Sequence, residues 1–545
     1  MHLRLSSFLL SLVLASVGPL AAQTVVPIYH DVLTFHNDVG RTGQNLAETT
    51  LTRSNVNSAT FGKLFQLTLD GLVDAQPLYV SQVVIPDHAM SNVLVVATEN
   101  DSLYALDADT GAEIWKASLL PTGETASDDL GCGLVTPQIG ITSTPVIAFK
   151  AGTRDGVIFA VAMSKDFSGD YHQRLHRVDL STGQSLGVVE ITAKYPGTGD
   201  DSAGGYVIFN PKHYVERSAL LLLNGVVYLG WSSHCDKRPY TGWIMGYNAT
   251  TLAQTSVLNL TPNGYAGAIW MSGAGPAADS SGNIYFIDAN GTFDTTLTPA
   301  GFPVDGDFGN AFIKLSATGS HLSVADYFSV DDTHYETQVD QDLGSGGAVV
   351  LPDMKDSSGS LRHLVIGAGK DTNLYMLDRG NMGKFNPHTD SDIYQVIYGA
   401  LPGGMWSTPA YYNGQMYFGT IGFLRAFKFS NARLPSTPTS MTSNKFHYPG
   451  TTPSISANGL ANGILWAVEN STPAVLHAYS TDNLAQELYN SNQAAGGRDQ
   501  FGAGNKFMVP TVVNGKVYVG TPNGVAAFSL LCQYQLPNGT CAGPH

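Results

Sequence analysis

The chain has 545 residues, 43% of them hydrophobic and 13% charged, and 28 basic against 44 acidic side chains give a formal charge of −16. This composition is typical of a well-packed globular protein and excludes a disordered one. The acidic balance argues against nucleic acid or an anionic membrane surface as a partner, because neither would be attracted to it.

The first 22 residues have the features of a secretory signal peptide. Arg4 supplies the positive end, residues 8–17 the apolar stretch, and Ala21 and Ala22 a cleavage point before Gln23. A membrane anchor is the alternative, but the apolar run is far shorter than the roughly 20 residues that a span requires. No later segment has that length and character. We therefore predict an exported protein, secreted or periplasmic, without membrane insertion.

A repeated pattern of strands and turns follows along the rest of the chain. Eight segments end in a small residue and Pro, or a Gly/Ala equivalent, and run into a hydrophobic strand: AQPLYV (75–80), STPVIA (143–148), RSALLL (217–222), GAGPAA (273–278), SGGAVV (345–350), STPAYY (407–412), TTPSIS (451–456) and MVPTVV (508–513). A turn and a second strand of the type G-x-V-Y-V-G-T come next. One small sheet cannot bury both of its faces, so such a repeat predicts circular stacking. We expect an all-β, eight-bladed β-propeller of four-stranded antiparallel blades.

The repeats divide the mature chain into three parts. Residues 23–60 are a polar extension or cap, residues 61–531 the propeller, and residues 532–545 a short tail. The last repeat shows only three strands, and FGKLFQLTL (residues 61–69) is the expected fourth. An N-terminal strand would then close the ring by pairing the two chain ends, which leaves no long exposed sheet edge.

The four cysteines are permitted to form disulfides in an exported protein. Cys532 and Cys541 lie in the tail, where a local bridge would hold an otherwise fraying end, and Cys132 and Cys235 then remain for each other. Four cysteines allow three pairings, and the sequence does not decide among them. No Cys/His grouping has the spacing of a zinc site or a haem attachment motif.

The turn of the first repeat carries a family signature. In ALDADTGAEIW (residues 105–115) the turn is formed around Asp107, Thr110 and Gly111, and we expect Trp115 to pack between neighbouring blades. The pattern A-x-D-x-x-T-G-x-x-x-W is the repeat signature of the quinoprotein propellers. Over residues 61–531 the chain resembles the eight-bladed proteins related to alcohol dehydrogenases that use pyrroloquinoline quinone (PQQ). The resemblance implies PQQ and calcium as cofactors.

The resemblance also implies site residues. In the family a tryptophan stacks on the planar quinone, and a carboxylate and an asparagine hold calcium. Here Trp270 resembles the stacking residue, Asn290 the metal asparagine and Asp236 the metal carboxylate. A flat apolar ring suits a flat cofactor, and oxygen ligands suit calcium. The alternatives are blade packing for Trp270 and an ordinary turn for Asp236.

Two further positions concern the reaction itself. GAGKDTNLYMLDR (residues 367–379) resembles the family segment whose basic residue contacts the quinone carbonyls, which implies that role for Lys370, with a solvent-facing turn lysine as the alternative. The position of the family's catalytic aspartate matches Asn310, which cannot act as a base. Asp307, three residues earlier, is therefore the candidate base. Asp305 and Asp307 could instead form a short calcium-binding turn, although the later acidic ligand of such a turn is missing.

The family also has an adjacent cysteine pair near the quinone. Only Cys132 lies in the corresponding region, and Cys235 immediately precedes Asp236. A bridge between them would tie two loops over one end of the channel, either as part of the quinone site or as a plain staple.

These observations leave functions of different classes open. The first is a PQQ- and calcium-dependent dehydrogenase that oxidises an alcohol or sugar hydroxyl and passes electrons to an external acceptor. The second is a non-enzymatic propeller that binds a protein or polysaccharide, having lost the base, and a polysaccharide lyase or hydrolase is a third. Convergence of Trp270, Asp236, Asn290 and Lys370 at one channel mouth would favour the dehydrogenase.

Overall fold

The computed structural model describes residues 30–86, 88–318 and 321–531. The predicted signal peptide and the predicted Cys532–Cys541 bridge lie outside these residues. The described residues form β-strands, one α-helix, Thr333–Val339 (α1), and short 3-10 helices at Pro211–His213, Met271–Gly273, Leu343–Ser345 and Ala495–Gly497. None of these helices has the length and apolar character that spanning a bilayer requires.

Eight sheets within the described residues contain a run of four antiparallel strands. Sheet 1 is Leu78–Val83, Ser91–Ala97, Ser102–Asp107 and Glu113–Ser118; sheet 2 is Val146–Phe149, Gly156–Lys165, Tyr171–Asp179 and Ser185–Glu190; sheet 3 is Leu221–Leu223, Val226–Gly230, Trp243–Asn248 and Gln254–Asn259; sheet 4 is Ala277–Ala278, Ile284–Ile287, Ala311–Thr318 and His321–Ser329. Sheet 5 is Val349–Val350, Leu364–Gly367, Leu374–Asp378 and Gln395–Ile397; sheet 6 is Ala410–Tyr412, Gln415–Gly419, Leu424–Lys428 and Ser440–Met441; sheet 7 is Ser454–Asn458, Ala461–Glu469, Val475–Ser480 and Glu487–Asn490. The first strand of each sheet lies in or directly after one of the eight repeated segments.

Sheet 8 joins the two ends of the described chain. Its strands are Thr511–Val513, Lys516–Thr521, Gly524–Leu530 and Phe61–Thr68, and the last of these pairs antiparallel with Gly524–Leu530. The N-terminal strand therefore supplies the fourth strand that the last repeat lacks, as the sequence predicts.

Shorter strands lie outside the four-stranded parts of these eight sheets. Gln44–Asn45 runs parallel to the first strand of sheet 7, and Lys384–Phe385 runs parallel to the last strand of sheet 4. The others form small ladders at Thr125–Asp128, Gln138–Ile139, Lys194–Pro196, Ser202–Ala203, Tyr206–Ile208, Tyr214–Val215, Ser232–Ser233, Met354–Lys355 and Leu361–Arg362.

The signature turn explains how one sheet contacts the next. The Asp107 carboxylate accepts hydrogen bonds from the backbone N–H of Asp109 and Thr110 and from the Thr110 hydroxyl, at 2.8–3.1 Å. Gly111 takes a φ of 79°, which a glycine adopts without strain. The turn leads into Trp115, whose indole N–H donates to the Leu180 carbonyl of the neighbouring sheet at 3.0 Å. Trp115 thus packs between sheets, as predicted.

The hydrophobic core is divided among the spaces between consecutive sheets. Separate clusters of buried side chains join sheets 2 and 3, 3 and 4, 4 and 5, 5 and 6, 6 and 7, and 7 and 8, and another joins sheet 8 to sheets 1 and 2. Every sheet therefore buries both of its faces against its neighbours.

The N-terminal segment of residues 31–45 contacts all eight sheets, and we call it the plug. Its backbone pairs with Tyr79 of sheet 1, accepts hydrogen bonds from the first strands of sheets 2 and 4–7, and its side chains donate to carbonyls of Leu220, just ahead of sheet 3, and Val512 of sheet 8. One short segment can reach eight first strands only if those strands lie close together around it. The plug occupies the stretch that the sequence indicated as a loop or cap.

Candidate functional site

A cavity of about 510 Å³ lies where several inter-strand loops meet. This is the size of a typical small-molecule site. Its walls include four aromatic side chains, three cations, two carboxylates and a disulfide: Trp270, Trp406, Tyr448 and Phe507; Arg217, Lys370 and Lys506; Asp236 and Asp340; Cys132 and Cys235. Trp270, Lys370 and Asp236, all implied by the resemblance, thus line the same cavity.

The repeat explains why these residues meet. Arg217, Trp270, Asp340, Trp406 and Lys506 each lie in the segment just before the first strand of a different sheet. Since the first strands of all eight sheets surround the plug, the segments that precede them also come together. The segments before the first strands of sheets 3, 4, 5, 6 and 8 therefore each contribute to the cavity wall.

Trp270 and Lys370 are held by the same carboxylate. The Trp270 indole N–H donates to Asp342 Oδ2 at 3.1 Å, and Lys370 Nζ lies 2.5 Å from Asp342 Oδ1. The Lys370 ammonium is 5.7 Å from the centre of the Trp270 ring. The Asp342 side chain is 1% exposed, so it fixes both partners from behind the cavity wall.

Asn290 joins this group through Asp340. Its side-chain Nδ2 donates to Asp340 Oδ1 at 2.9 Å, and Lys370 Nζ donates to the same oxygen at 2.5 Å. The amide oxygen of Asn290 is buried and has no hydrogen-bond partner among the described residues. Asp340 lies directly after α1 with a φ of 60°, and its carboxylate is 69% exposed. Asn290 is therefore next to Lys370 but does not itself line the cavity.

Burial and neighbouring charges shift the pKa values of Asp342 and Lys370 in opposite directions. Burial raises the pKa of Asp342, and the charge of Lys370 and the hydrogen bonds from Lys370 and Trp270 oppose it only in part. Burial acts to lower the pKa of Lys370, but Asp342 and Asp340 outweigh it, so this pKa lies above its usual value. Lys370 is therefore a permanent cation at neutral pH.

Asp236 lies at another part of the wall, in the loop that carries Cys235. Its Oδ1 accepts hydrogen bonds from the Ser233 hydroxyl at 2.8 Å and the Tyr240 hydroxyl at 3.2 Å. Cys235 is bonded to Cys132, which confirms this predicted pairing. In the described residues no three His, Cys, Asp or Glu side chains are grouped to hold a metal ion. Asp236 lines the cavity and Asn290 does not, and the two side chains have different hydrogen-bond partners.

Two cations form the side of the cavity next to Phe507. The Arg217 guanidinium lies 4.7 Å from the centre of the Phe507 ring, and Lys506 Nζ lies 5.4 Å from that of Tyr448. Phe507 meets Trp270 edge to face, with ring centres 6.1 Å apart. Burial, and then the Arg217 charge, lower the pKa of Lys506. Arg217 has a carboxylate at 3.6 Å, that of Asp74. Lys506, which is repelled by Arg217, is therefore the cation on this side that favours an anionic ligand.

Asp307, the candidate base from the sequence, does not line the cavity. Its carboxylate is 3% exposed and accepts the backbone N–H of Asn263 at 2.9 Å. Burial, with the charges of Asp305 and Asp294, raises its pKa to about 6. The reason for its position is the loop itself: residues 293 and 308 pair across it and turn Asp307 towards Asn263.

Asn310, at the position of the family's catalytic aspartate, holds the loop that carries Asp340 and Asp342, which we call the acidic loop. Its Nδ2 donates to Glu336 Oε2 of α1 and its Oδ1 accepts the Leu343 N–H, both at 2.8 Å. These two bonds hold both ends of the loop that carries Asp340 and Asp342. An asparagine is suited to this position because one amide both donates and accepts.

Sequence reasoning missed Arg217, Asp340, Asp342, Trp406 and Lys506. The available signal was the repeat: each of these residues precedes the first strand of a sheet, as Trp270 does. That position could have been read from one repeat to the next. What the repeat could not show is which of these side chains contact one another.

Comparison with known proteins supports the fold. No family model and no curated protein matches the sequence. Among solved structures, quinohemoprotein alcohol dehydrogenase from Comamonas testosteroni is similar with a TM-score of 0.61 and 13% identity, covering 92% of this chain and 80% of that one. Quinohemoprotein alcohol dehydrogenase ADHIIG from Pseudomonas putida HK5 has a TM-score of 0.57 and 14% identity, covering 94% and 81%. A europium-containing methanol dehydrogenase has a TM-score of 0.57 and 12% identity, covering 92% and 98%. The chain shares the fold of these propeller proteins, as its repeat signature predicts.

Proposed function

We propose that the protein is an exported, PQQ-dependent dehydrogenase of small alcohols, built as a single ring of eight blades. The observation that carries the functional proposal is that Trp270, Lys370 and the Cys132–Cys235 disulfide line the same cavity. The blade count is supported by the eight sheets, the clusters between them and the pairing of the two chain ends.

The cavity suits PQQ by its donor set. PQQ is a planar aromatic tricarboxylate, and the walls offer flat rings at Trp270, Trp406 and Phe507 together with cations at Arg217 and Lys506. Aromatic faces stack on planar rings, and buried cations require anionic partners. Arg217 and Lys506 would hold carboxylates of a bound quinone, and Lys370 would contact a carbonyl oxygen.

A calcium ion does not fit the residues that the resemblance implies for it. Asp236 is engaged by Ser233 and Tyr240, and Asn290 donates its Nδ2 to Asp340, while the buried Asn290 Oδ1 has no hydrogen-bond partner among the described residues. The carboxylates of Asp340 and Asp342 already face the Lys370 ammonium.

PQQ, when bound, supplies the acceptor for a hydride from the alcohol carbon. Asp340 is placed to take the hydroxyl proton, because its carboxylate lines the cavity and is 69% exposed. Lys370 is placed to donate to a carbonyl oxygen and to stabilise charge that develops there. Asp342 holds Lys370 and Trp270 in position without entering the cavity. Electrons would then pass to an external acceptor.

The proposal is tested with purified protein and added PQQ. We expect a shift of the quinone absorbance on binding, and reduction of a dye acceptor with a panel of small alcohols. Trp270→Ala should weaken PQQ binding by roughly tenfold or more, since base-stacking contacts of this kind are worth about 1–3 kcal/mol. Trp115→Phe, which alters a tryptophan between two sheets, is the control. Absence of quinone binding at saturating PQQ would reject the dehydrogenase and favour a propeller that only binds a ligand.

A further inference from the structure

Lys370 lies where a bound cation would be expected. Its Nζ is 2.5 Å from Asp340 Oδ1 and 2.5 Å from Asp342 Oδ1, and its side chain is 13% exposed. Asn290 is the next neighbour, through Asp340. The ammonium thus faces two carboxylates beside the stacking tryptophan.

The polar atoms around it indicate that this position is made for a positive charge. Asp342 Oδ2 accepts the Trp270 indole N–H, and the other oxygen of this buried carboxylate faces the Lys370 ammonium. The Asn290 amide oxygen is buried without a partner among the described residues. Carboxylate and amide oxygens are the ligands that hard metal ions prefer.

We infer that the Lys370 ammonium takes the place of a metal ion as the fixed cation of this cavity. The inference rests on the proposed function for the identity of the cavity as a quinone site, but the placement of Lys370 stands independently of it. A lysine is suited to this position because its compact charge sits at the end of a flexible stem. The site would then bind its planar ligand without a metal.

The charge of this group would change if the Lys370 ammonium were removed. Asp340, Asp342 and Lys370 together carry a formal net charge of about −1, and removal of the ammonium leaves the two carboxylates facing one space beside Asn290. Metal affinity rises with the number of ligand charges. Lys370→Ala should therefore create a metal site that the wild-type protein lacks.

Terbium luminescence sensitised by tryptophan tests this directly, because Trp270 lies beside the position. We expect no saturable emission from the wild type over the titrated range and strong saturable emission from Lys370→Ala. Lys370→Arg keeps the charge and should behave like the wild type. Lys370→Ala/Asp342→Asn should lose the emission again, and calcium should compete in Lys370→Ala.

Two results would overturn the inference. One is saturable terbium emission from the wild type that Asp342→Asn removes. The other is a folded Lys370→Ala protein that gives no terbium emission above Lys370→Arg. If Lys370→Ala does not fold, Lys370→Met keeps the apolar stem and replaces it in each comparison.

A second measurement uses PQQ and the wild-type protein. We expect equal PQQ affinity in chelator and in calcium, whereas a requirement for calcium would contradict the inference. Failure of PQQ to bind in either buffer would reject the proposed function alone, because the terbium experiment contains no quinone.

Discussion

Asp307, the base that the sequence predicts, and Asp340, which the sequence analysis missed, show how the environment of an aspartate decides whether it can act as a base. Asp307 is 3% exposed and held by a backbone N–H, whereas the Asp340 carboxylate is 69% exposed beside Lys370. A base must reach the proton that it removes, so geometry decides before pKa does. Asp307 therefore stabilises its own loop, whereas Asp340 can reach a ligand in the cavity.

Asp307→Asn should change the pH dependence of stability and leave PQQ binding unchanged. The folded pKa of Asp307, raised by burial to about 6, lies above the value of roughly 4 for an unfolded aspartate. The folded state then holds a proton that the unfolded state releases, so this contribution is present at low pH and is lost as pH rises from about 4 to 6. Between about pH 4 and pH 6, the free energy of unfolding measured in urea should fall less for Asp307→Asn than for the wild type. Equal falls in both proteins would contradict this assignment.

Asp340→Asn should abolish turnover while the quinone still binds. Loss of a general base typically costs about 10²–10⁴-fold in rate. We expect a fall of that size in dye reduction, with PQQ affinity within a few fold of the wild type. Asp307→Asn is the matched control and should keep full turnover. If Asp307→Asn instead loses activity and Asp340→Asn does not, the roles are reversed.

Among the elements, two loops of the cavity wall are tied by covalent and hydrogen bonds. Cys132 and Cys235 are 103 residues apart in sequence. Cys132 lies in the segment before the first strand of sheet 2, and Cys235 lies in the loop between the second and third strands of sheet 3. His234 and the carbonyl of Asp129 lie within 2.6 Å, beside this bridge. The disulfide therefore positions one wall of the cavity.

Cys132→Ser/Cys235→Ser should loosen that wall. We expect a loss of unfolding free energy of about 2–4 kcal/mol, the usual range for a bridge that closes a long loop. PQQ affinity should fall by roughly tenfold, because ordering the loops becomes part of the cost of binding. Wild-type protein kept in reductant should reproduce both changes. Unchanged PQQ affinity in the folded variant would show that the disulfide stabilises the protein but does not position the cavity wall.

The acidic loop is held from outside the cavity. Asn310 bonds both Glu336 of α1 and the N–H of Leu343, and so spans the loop of Asp340 and Asp342. Asn310→Ala should leave a buried carboxyl and a buried N–H without partners, at about 1–3 kcal/mol each. Lower stability by urea unfolding with weaker PQQ binding is the expected pair of results; Ser316→Ala, in the same sheet, is the control. Full PQQ affinity in the variant would show that the loop needs no such support.

On the scale of the whole molecule, the plug unites the sheets. Arg41 is fully buried within it and donates to the carbonyls of Phe35, Leu220 and Pro276 and to the Thr34 hydroxyl, at 2.7–3.2 Å. One side chain thus links the plug to sheets 3 and 4. Burial lowers the pKa of Arg41 to about 10, which still leaves it charged at neutral pH.

Arg41→Met should destabilise the whole protein, because it leaves several buried acceptors without donors. We expect a loss of about 3–5 kcal/mol in the free energy of unfolding, measured in denaturant. Arg433→Met, at an exposed arginine that bonds a single carbonyl, should change it by less than about 0.5 kcal/mol. Similar stabilities of the two variants would show that the plug is an accessory to the sheets.

The sequence by itself determined the strands, the repeat and the signature turn. These are local properties: alternating hydrophobic runs, small residues before each first strand, and the Asp107 turn that leads to Trp115. It also indicated Trp270 and Lys370, because each lies in a motif that a few neighbouring residues define. The N-terminal fourth strand of sheet 8 followed from counting strands.

Only the tertiary structure decided the composition of the cavity. Arg217, Trp270, Asp340, Lys370 and Lys506 come from different repeats, and their distances depend on how the sheets surround the plug. The partners of Lys370 depend on where α1 ends, and the exclusion of Asp307 depends on the pairing of its own loop. Contacts between side chains far apart in sequence are set by packing, and no pattern of neighbouring residues carries that information.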